Sequence, residues 1–490
     1  MHTPDKPTST ARPRPAGRSR GAVQTPGTPD IAAGLRSDYI GAAEAMALLG
    51  VRPQTLYAYV SRGWIRSVAQ PGQKDKLYSR GDVDRVGKRS AARSGHGAVA
   101  ASAMNWGEPI FPTSITEITA EGPRYRGHLA SGLVTGGASF EAVAELLWTG
   151  ELPARAPVWP VHKPAGELMT LIQSMTSLKP QGNVLESFAL VVLMLGLGHG
   201  SVAERLAKGR TLPAAREIIQ AMVACCGFVG PEQRYRSMQR GETVVEALMQ
   251  SLGLAATPEN TDSLRSLLIL MADHELPPGT LSARVVASAG GTLHSCLASA
   301  FCTTSGADVG RMYERVEDFL GHHKTRVALV RRAQQLHATG QGVPGFNHPL
   351  YPAGDPRAAQ LLEIARKRSG QTRESRAIFG FIDDMKLATG LHPRQELALV
   401  VLVRAMGLPP QMAAALFALG RLAGWVAHVQ EQRKDGTLLR PRAKFVATET
   451  TSAAPPSPLP QPTSAVATTA SPRPPAQPFA EITRLATRRA

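Results

Sequence analysis

The stretch VPGFNHPLYPAGDPR (343–357) sets a histidine, His348, and an arginine, Arg357, among prolines and glycines. Proline fixes φ, and glycine reaches backbone regions closed to other residues, so such a run holds its side chains in a stiff turn. A ring that is neutral or cationic, held near a permanent cation, suits an anion. A rigid turn with an incidental histidine fits the same residues, and the stretch by itself leaves both readings open.

The elements that must carry this loop are helical. The chain has 490 residues, with an apolar fraction of 43%, an aromatic share of 5% and abundant Ala, Leu and Gly, a balance that favours helices over sheets around a large core. Apolar residues recur at i, i+3 and i+4 in SFEAVAELLWTGELP (139–153), GELMTLIQSM (166–175) and RQELALVVLVRAMGLPP (394–410). Strict alternation is absent, and SITEITAEGPRYRG (114–127) alone reads as a hairpin. The expectation is an all-α block over 105–445. Tails at 1–36 and 446–490, rich in Pro, Ala, Thr and charge, are expected to be disordered.

Four cysteines occur, Cys225, Cys226, Cys296 and Cys302, with no C-x-x-C spacing. Core packing in a reducing compartment is expected, with no metal site. No run approaches the roughly 20 apolar residues that span a bilayer. The longest candidate, FALVVLMLGLG (188–198), reads as a buried helix, and the protein as cytoplasmic.

The net charge is +17, of which residues 1–36 carry +4, residues 37–95 carry +5 and residues 446–490 carry +2. The surplus at the ends points to a polyanion there. Residues 39–66 read as helix, four-residue turn, helix: Gly50 suits the end of AAEAMALL, and Pro53 the first turn of PQTLYAYVSR. A hairpin tipped by Lys74 and Lys76 and a closing helix follow. The module (37–90, then a joint at 91–104) resembles the winged helix-turn-helix of the MerR and excisionase group. That resemblance implies DNA contact, with Gln54, Thr55 and Tyr57 near base edges or phosphates and Arg52, Arg62, Lys74 and Lys76 on phosphates. A protein-docking module is the alternative.

Five ordered blocks, SFEAVAELLWTGELP, MADHELPPGTLSARVVAS, VPGFNHPLYPAGDPRA, ALFALGRLAGWVAHVQEQ and LLRPRAKFV, resemble the citrate synthase family. The resemblance implies an all-α dimer with a large domain and a small one (about 306–405). It also implies acetyl-CoA as cosubstrate, with no permanently bound cofactor, and oxaloacetate as the second substrate. Guanidinium forks match carboxylates, and Arg357, Arg421 and Arg440 stand at the matching positions, Arg440 as the one supplied across the dimer. His348 matches the histidine that polarises the oxaloacetate ketone, and His274 a further oxaloacetate ligand.

The resemblance breaks where the thioester is enolised. The family's GPLHGG becomes GADVGR (306–311): Val309 replaces the donor histidine, Ala307 the proline and Arg311 the second glycine. Glu396 replaces the aspartate base and shifts the carboxylate by about one bond length. His294, His322 and His323 are weighed as substitute donors, Asp383 and Asp384 as a helix cap or a solvated pair, and His428 as packing. Two readings follow. One is a citrate-synthase-type acyltransferase with a weakened enolisation pair. The other is a non-catalytic carboxylate sensor that reports to DNA.

Overall fold

The computed structural model describes residues 39–69, 76–92, 110–175, 184–339 and 341–441. The two tails, most of the joint and Lys74 lie outside the described residues.

The first described unit begins with β1 (Tyr39–Ile40), α1 (Ala42–Leu49) and α2 (Pro53–Ser61). Gly50 ends α1 in the left-handed conformation at φ 62°, and Pro53 opens α2, where its missing N–H costs nothing. β2 (Ser67–Ala69), β3 (Lys76–Ser79) and α3 (Arg80–Ala92) complete it. β3 is central in an antiparallel sheet ordered β1-β3-β2, with Val68 opposite Leu77. Ile40, Leu49, Leu56, Ile65, Tyr78 and Val83 form its core.

The second core begins with β4 (Thr116–Thr119), β5 (Gly122–Tyr125) and β6 (His128–Leu129), an antiparallel sheet where the hairpin is expected. Then come α4 (Ala130–Thr135), α5 (Phe140–Thr149), α6 (Gly166–Ser174), α7 (Val184–Leu197), α8 (Val202–Leu206) and α9 (Thr211–Cys225). α10 (Val244–Leu252), α11 (Pro258–Leu270), α12 (Pro278–Ser288) and α13 (Leu293–Thr304) follow. The series ends with α14 (Arg311–His322), α15 (Arg326–Ala338), α16 (Pro356–Arg368), α17 (Arg373–Thr389), α18 (Gln395–Ala405) and α19 (Met412–Asp435). The fold is mostly helical, as composition and periodicity predict.

Three expectations need correction. The longest apolar helix is α19, which is long and apolar enough to cross a membrane, but its apolar stretch is buried within the protein and only its last residues, Lys434 and Asp435, are exposed. α7 is not buried all round: Leu190, Leu193 and Leu197 are exposed at i, i+3 and i+7, one uncovered stripe. Cys225, Cys226 and Cys296 pack in the core, but Cys302 is exposed.

Candidate active site

Two loops and one helix build the site. The first loop joins α11 to α12 and carries His274. It lies against α19 because Gly424 has no side chain: a Cβ there would sit 2.2 Å from Asp273 Oδ1 and 2.5 Å from Ala272 O. The Gly424 N–H donates to Ala272 O instead. One turn earlier on α19, Arg421 donates from Nε to Met271 O at 2.9 Å. Its Nη1 is buried without a partner, an unmet cationic donor. His428 clamps the same loop. Arg284 can only donate, so His428 Nδ1 accepts at 3.1 Å, and its Nε2–H faces Asp273 Oδ2 at 3.3 Å. This is the packing role expected of His428.

The second loop is the opening stretch. Gly345 (φ 79°), Asn347 (φ 62°) and Gly354 (φ 115°) take left-handed backbone, which bends it sharply. It is laced to the segment before α18: Asn347 N donates to His392 O, and Arg394 N to Gly345 O. His348 is buried, and its Nδ1 accepts from Leu350 N at 3.1 Å. A backbone N–H only donates, so the remaining ring proton is on Nε2, a donor for a carbonyl. Asp355 caps α16 and takes a fork from Arg357, at 3.0 Å from Nε and 2.8 Å from Nη2.

The loops converge on Tyr351. Its hydroxyl is 3.0 Å from His274 Nε2, its ring 5.0 Å from that of His348, and the Arg357 guanidinium lies 5.6 Å from its ring centre. The His274 and His348 rings meet edge to face at 5.4 Å. Burial lowers the pKa of Arg421; the Asp273 charge opposes this, and the Arg357 charge adds to it. Two guanidinium groups and two imidazoles are thus buried close enough to act on one another electrostatically.

Both histidines are neutral at pH 7. Burial, then Arg357, pushes His348 down to about 3 and His274 well below its ordinary value. A depressed folded pKa adds stability above the unfolded value, near 6.5, that is lost as pH falls towards the folded one. Unfolding free energy is therefore expected to drop between pH 6.5 and about 3, with His348 contributing at most ~1.4 kcal/mol per pH unit. Urea titrations across that range should give a shallower slope for His348→Asn; an unchanged slope contradicts a neutral buried ring.

Glu396 is buried at the start of α18, and both its oxygens are held by Arg394, at 3.1 Å from Nε and 2.8 Å from Nη2. Tyr313, hydrogen-bonded to Gln395 at 3.0 Å, feels Glu396, Arg421 and Arg357 together, which ties Glu396 electrostatically to the pocket. Val309 lies half-buried in the turn before α14. Of the weighed histidines, His294 stacks on His199, and His322 and His323 each bond a carbonyl four residues back. Arg311 pairs with Glu314 on the exposed side of α14. Asp383 and Asp384 lie inside α17, paired with Arg366 and Arg326, so neither is a cap.

Arg440 is exposed after α19, and is not among the groups acting on Arg357, Arg421 or His274 in one chain. In the first unit Arg52, Gln54, Tyr57, Arg62 and Lys76 are exposed and Thr55 is half-buried. Sequence reasoning missed Tyr351, Asp355 and Arg394; the spacing Asp-Pro-Arg at a helix start was the one available signal, for Asp355.

A cleft of about 820 Å³ opens between α14, α15 and the 341–344 segment, next to the His348 loop. Two arginines, Arg315 and Arg332, outnumber the single acid, Asp318, in its lining, beside His322, His323, Phe319 and Leu336. Cationic and apolar groups together suit an anionic ligand with an apolar part.

Residues 104–442 match the family model described as citrate synthase, C-terminal domain. Citrate synthase 2 of Bacillus subtilis (strain 168) is 26% identical over 352 residues, covering 68% of this chain and 92% of that protein. 2-Methylcitrate synthase 2 of Corynebacterium glutamicum is 25% identical over 358 residues, 68% of this chain and 90% of its own length. The fold is similar to that of the Thermoplasma acidophilum enzyme solved with carboxymethyl coenzyme A and oxaloacetate. The TM-score is 0.63 at 22% identity, over 71% of this chain and 96% of that one.

Proposed function

The chain belongs to the citrate synthase family, and from that premise we propose that it is an acyltransferase joining the acyl group of a coenzyme A thioester to oxaloacetate or a close 2-oxo acid. The carrying observation is the buried cluster in which Arg421 Nη1 lacks a partner and His348 keeps its proton on Nε2. Arg421 and Arg357 take the carboxylates, Arg440 of a second copy adds a third guanidinium, and His274 orients the acid through Tyr351. His348 donates to the ketone oxygen as the new C–C bond forms and charge builds there. Glu396 takes the proton from the carbon next to the thioester carbonyl. Hydrolysis of the product thioester then frees the thiol. The cationic cleft between α14 and α15 suits the nucleotide end of the thioester, and the bare α7 stripe suits a homodimer.

Two features slow the enolisation: Val309 donates nothing to the thioester oxygen, and Arg394 occupies both oxygens of Glu396. The same features favour a second reading, a carboxylate sensor that keeps the acid pocket and signals through the unit at 39–92 to DNA. There Arg52, Gln54, Thr55, Tyr57, Arg62, Lys74 and Lys76 would make the contacts.

One experiment separates the readings. Purified protein is mixed with acetyl-CoA and oxaloacetate and free thiol is followed. Release above the oxaloacetate-free control, at a slow rate, is expected of the acyltransferase. No release, together with DNA affinity that changes when oxaloacetate is added, would replace it with the sensor, since a ligand shifts only an equilibrium whose two states it binds unequally.

A further inference from the structure

Away from this pocket, His199, Glu217 and His294 bring one ligand atom each within 4.8 Å of one another. They come from three places: the turn after α7, the middle of α9 and the start of α13. We propose that these three residues form a transition-metal site that takes Zn(II) and ties the three helices together.

The donor set is two imidazole nitrogens and a carboxylate oxygen. That combination suits zinc, whereas calcium and magnesium prefer all-oxygen cages. His199 Nε2 already meets Glu217 Oε2 at 2.6 Å, and the two histidine rings lie nearly parallel, 28° apart, with centres 5.8 Å apart. Ligands around a tetrahedral ion with bonds of 2.0–2.2 Å sit about 3.4 Å apart. The His199–Glu217 pair therefore needs to widen by less than about 1 Å to admit the ion.

His294 supplies the second, independent observation. It is 3% exposed, and neither ring nitrogen has a partner. A buried polar group left unmet costs about 1–3 kcal/mol, which an ordinary packing histidine avoids by bonding a neighbour. The backbone also makes room for this ring: a Cβ at Gly196 would meet His294 Cβ and Cγ at 3.0 Å. The charged neighbour acting on His294, apart from His199, is Arg205 of α8. Its guanidinium lies close by, with Nη1 3.2 Å from where a Gly196 Cβ would sit, and its charge opposes a dication and weakens the site. Reading spacing alone leaves the cluster invisible, because its members are far apart in the chain.

The inference does not rest on the acyltransferase reading. It is tested on the untagged full chain, stripped with chelator and titrated calorimetrically with zinc chloride. One ion per chain is expected. His294→Ala and His199→Ala should each weaken binding more than about 100-fold, since losing an outer-sphere partner alone costs 10–100-fold. Arg205→Gln should tighten it, a change that a purely structural histidine pair does not predict. His322→Ala, on α14, should bind like the parent protein. If His294→Ala does not fold, His199→Ala, with its half-exposed side chain, carries the test. No binding by the parent protein, or equal binding by the His199 and His294 variants, overturns the site.

Discussion

Val309→His is expected to raise thiol release about 10²- to 10³-fold, the range lost when one oxyanion donor is removed from an acyl-transfer site. An enolate forming next to a thioester carbonyl concentrates charge on the oxygen. In a site with little water, a single preorganised donor is worth far more than in solution. Val309 is half-buried in the turn that precedes α14, so a larger ring has an outlet. The Arg311 side chain is paired with Glu314 on the exposed helix face, while its backbone N–H shares the Gly306 carbonyl with that of Val309. The variant is compared with the parent protein by steady-state thiol release at saturating oxaloacetate. Unchanged release would mean that enolisation is not what limits turnover, and that the loss of the donor does not explain a slow rate.

Arg421→Ala is expected to weaken oxaloacetate binding about 30-fold or more, because truncating one partner of a buried charged hydrogen bond costs 2–5 kcal/mol. Arg421 is chosen over Arg357 for a structural reason. Arg357 is already forked by Asp355, with both side chains almost fully buried. Removing it strands a buried carboxylate, which typically costs 3–5 kcal/mol of stability and confuses binding with unfolding. Arg421 has one backbone acceptor and an unmet Nη1, so its removal reads more directly on the ligand. Arg421→Lys keeps the charge without the planar fork and should recover only part of the affinity. Calorimetric titration measures both, and equal affinities for all three proteins would place the acid elsewhere.

The residues of the proposed acid pocket could be singled out in the sequence because each sits in a block whose neighbours specify its backbone. Asp355 caps α16 two residues before Arg357, and Gly424 opens the approach of the His274 loop to α19. The Arg394–Glu396 fork was not legible. Residues two apart on a helix do not face each other. The pair forms only because Arg394 is the N-cap, with extended backbone at φ −93° and ψ 167°. Tyr351 was hidden for a different reason: its contacts with His274 and His348 join two loops distant in sequence. The bare stripe of α7 was also unreadable, since an apolar run looks the same whether its own core or a second chain covers it.

The central claim is a pocket built for an acid that presents two carboxylates and a ketone. Calorimetric titration of the parent protein with oxaloacetate and, separately, with pyruvate tests it most directly. Saturable oxaloacetate binding is predicted, with pyruvate at least about tenfold weaker, because it lacks one charged hydrogen-bonding group worth about 1.5–3 kcal/mol. No heat with oxaloacetate, or equal affinity for both acids, would contradict it.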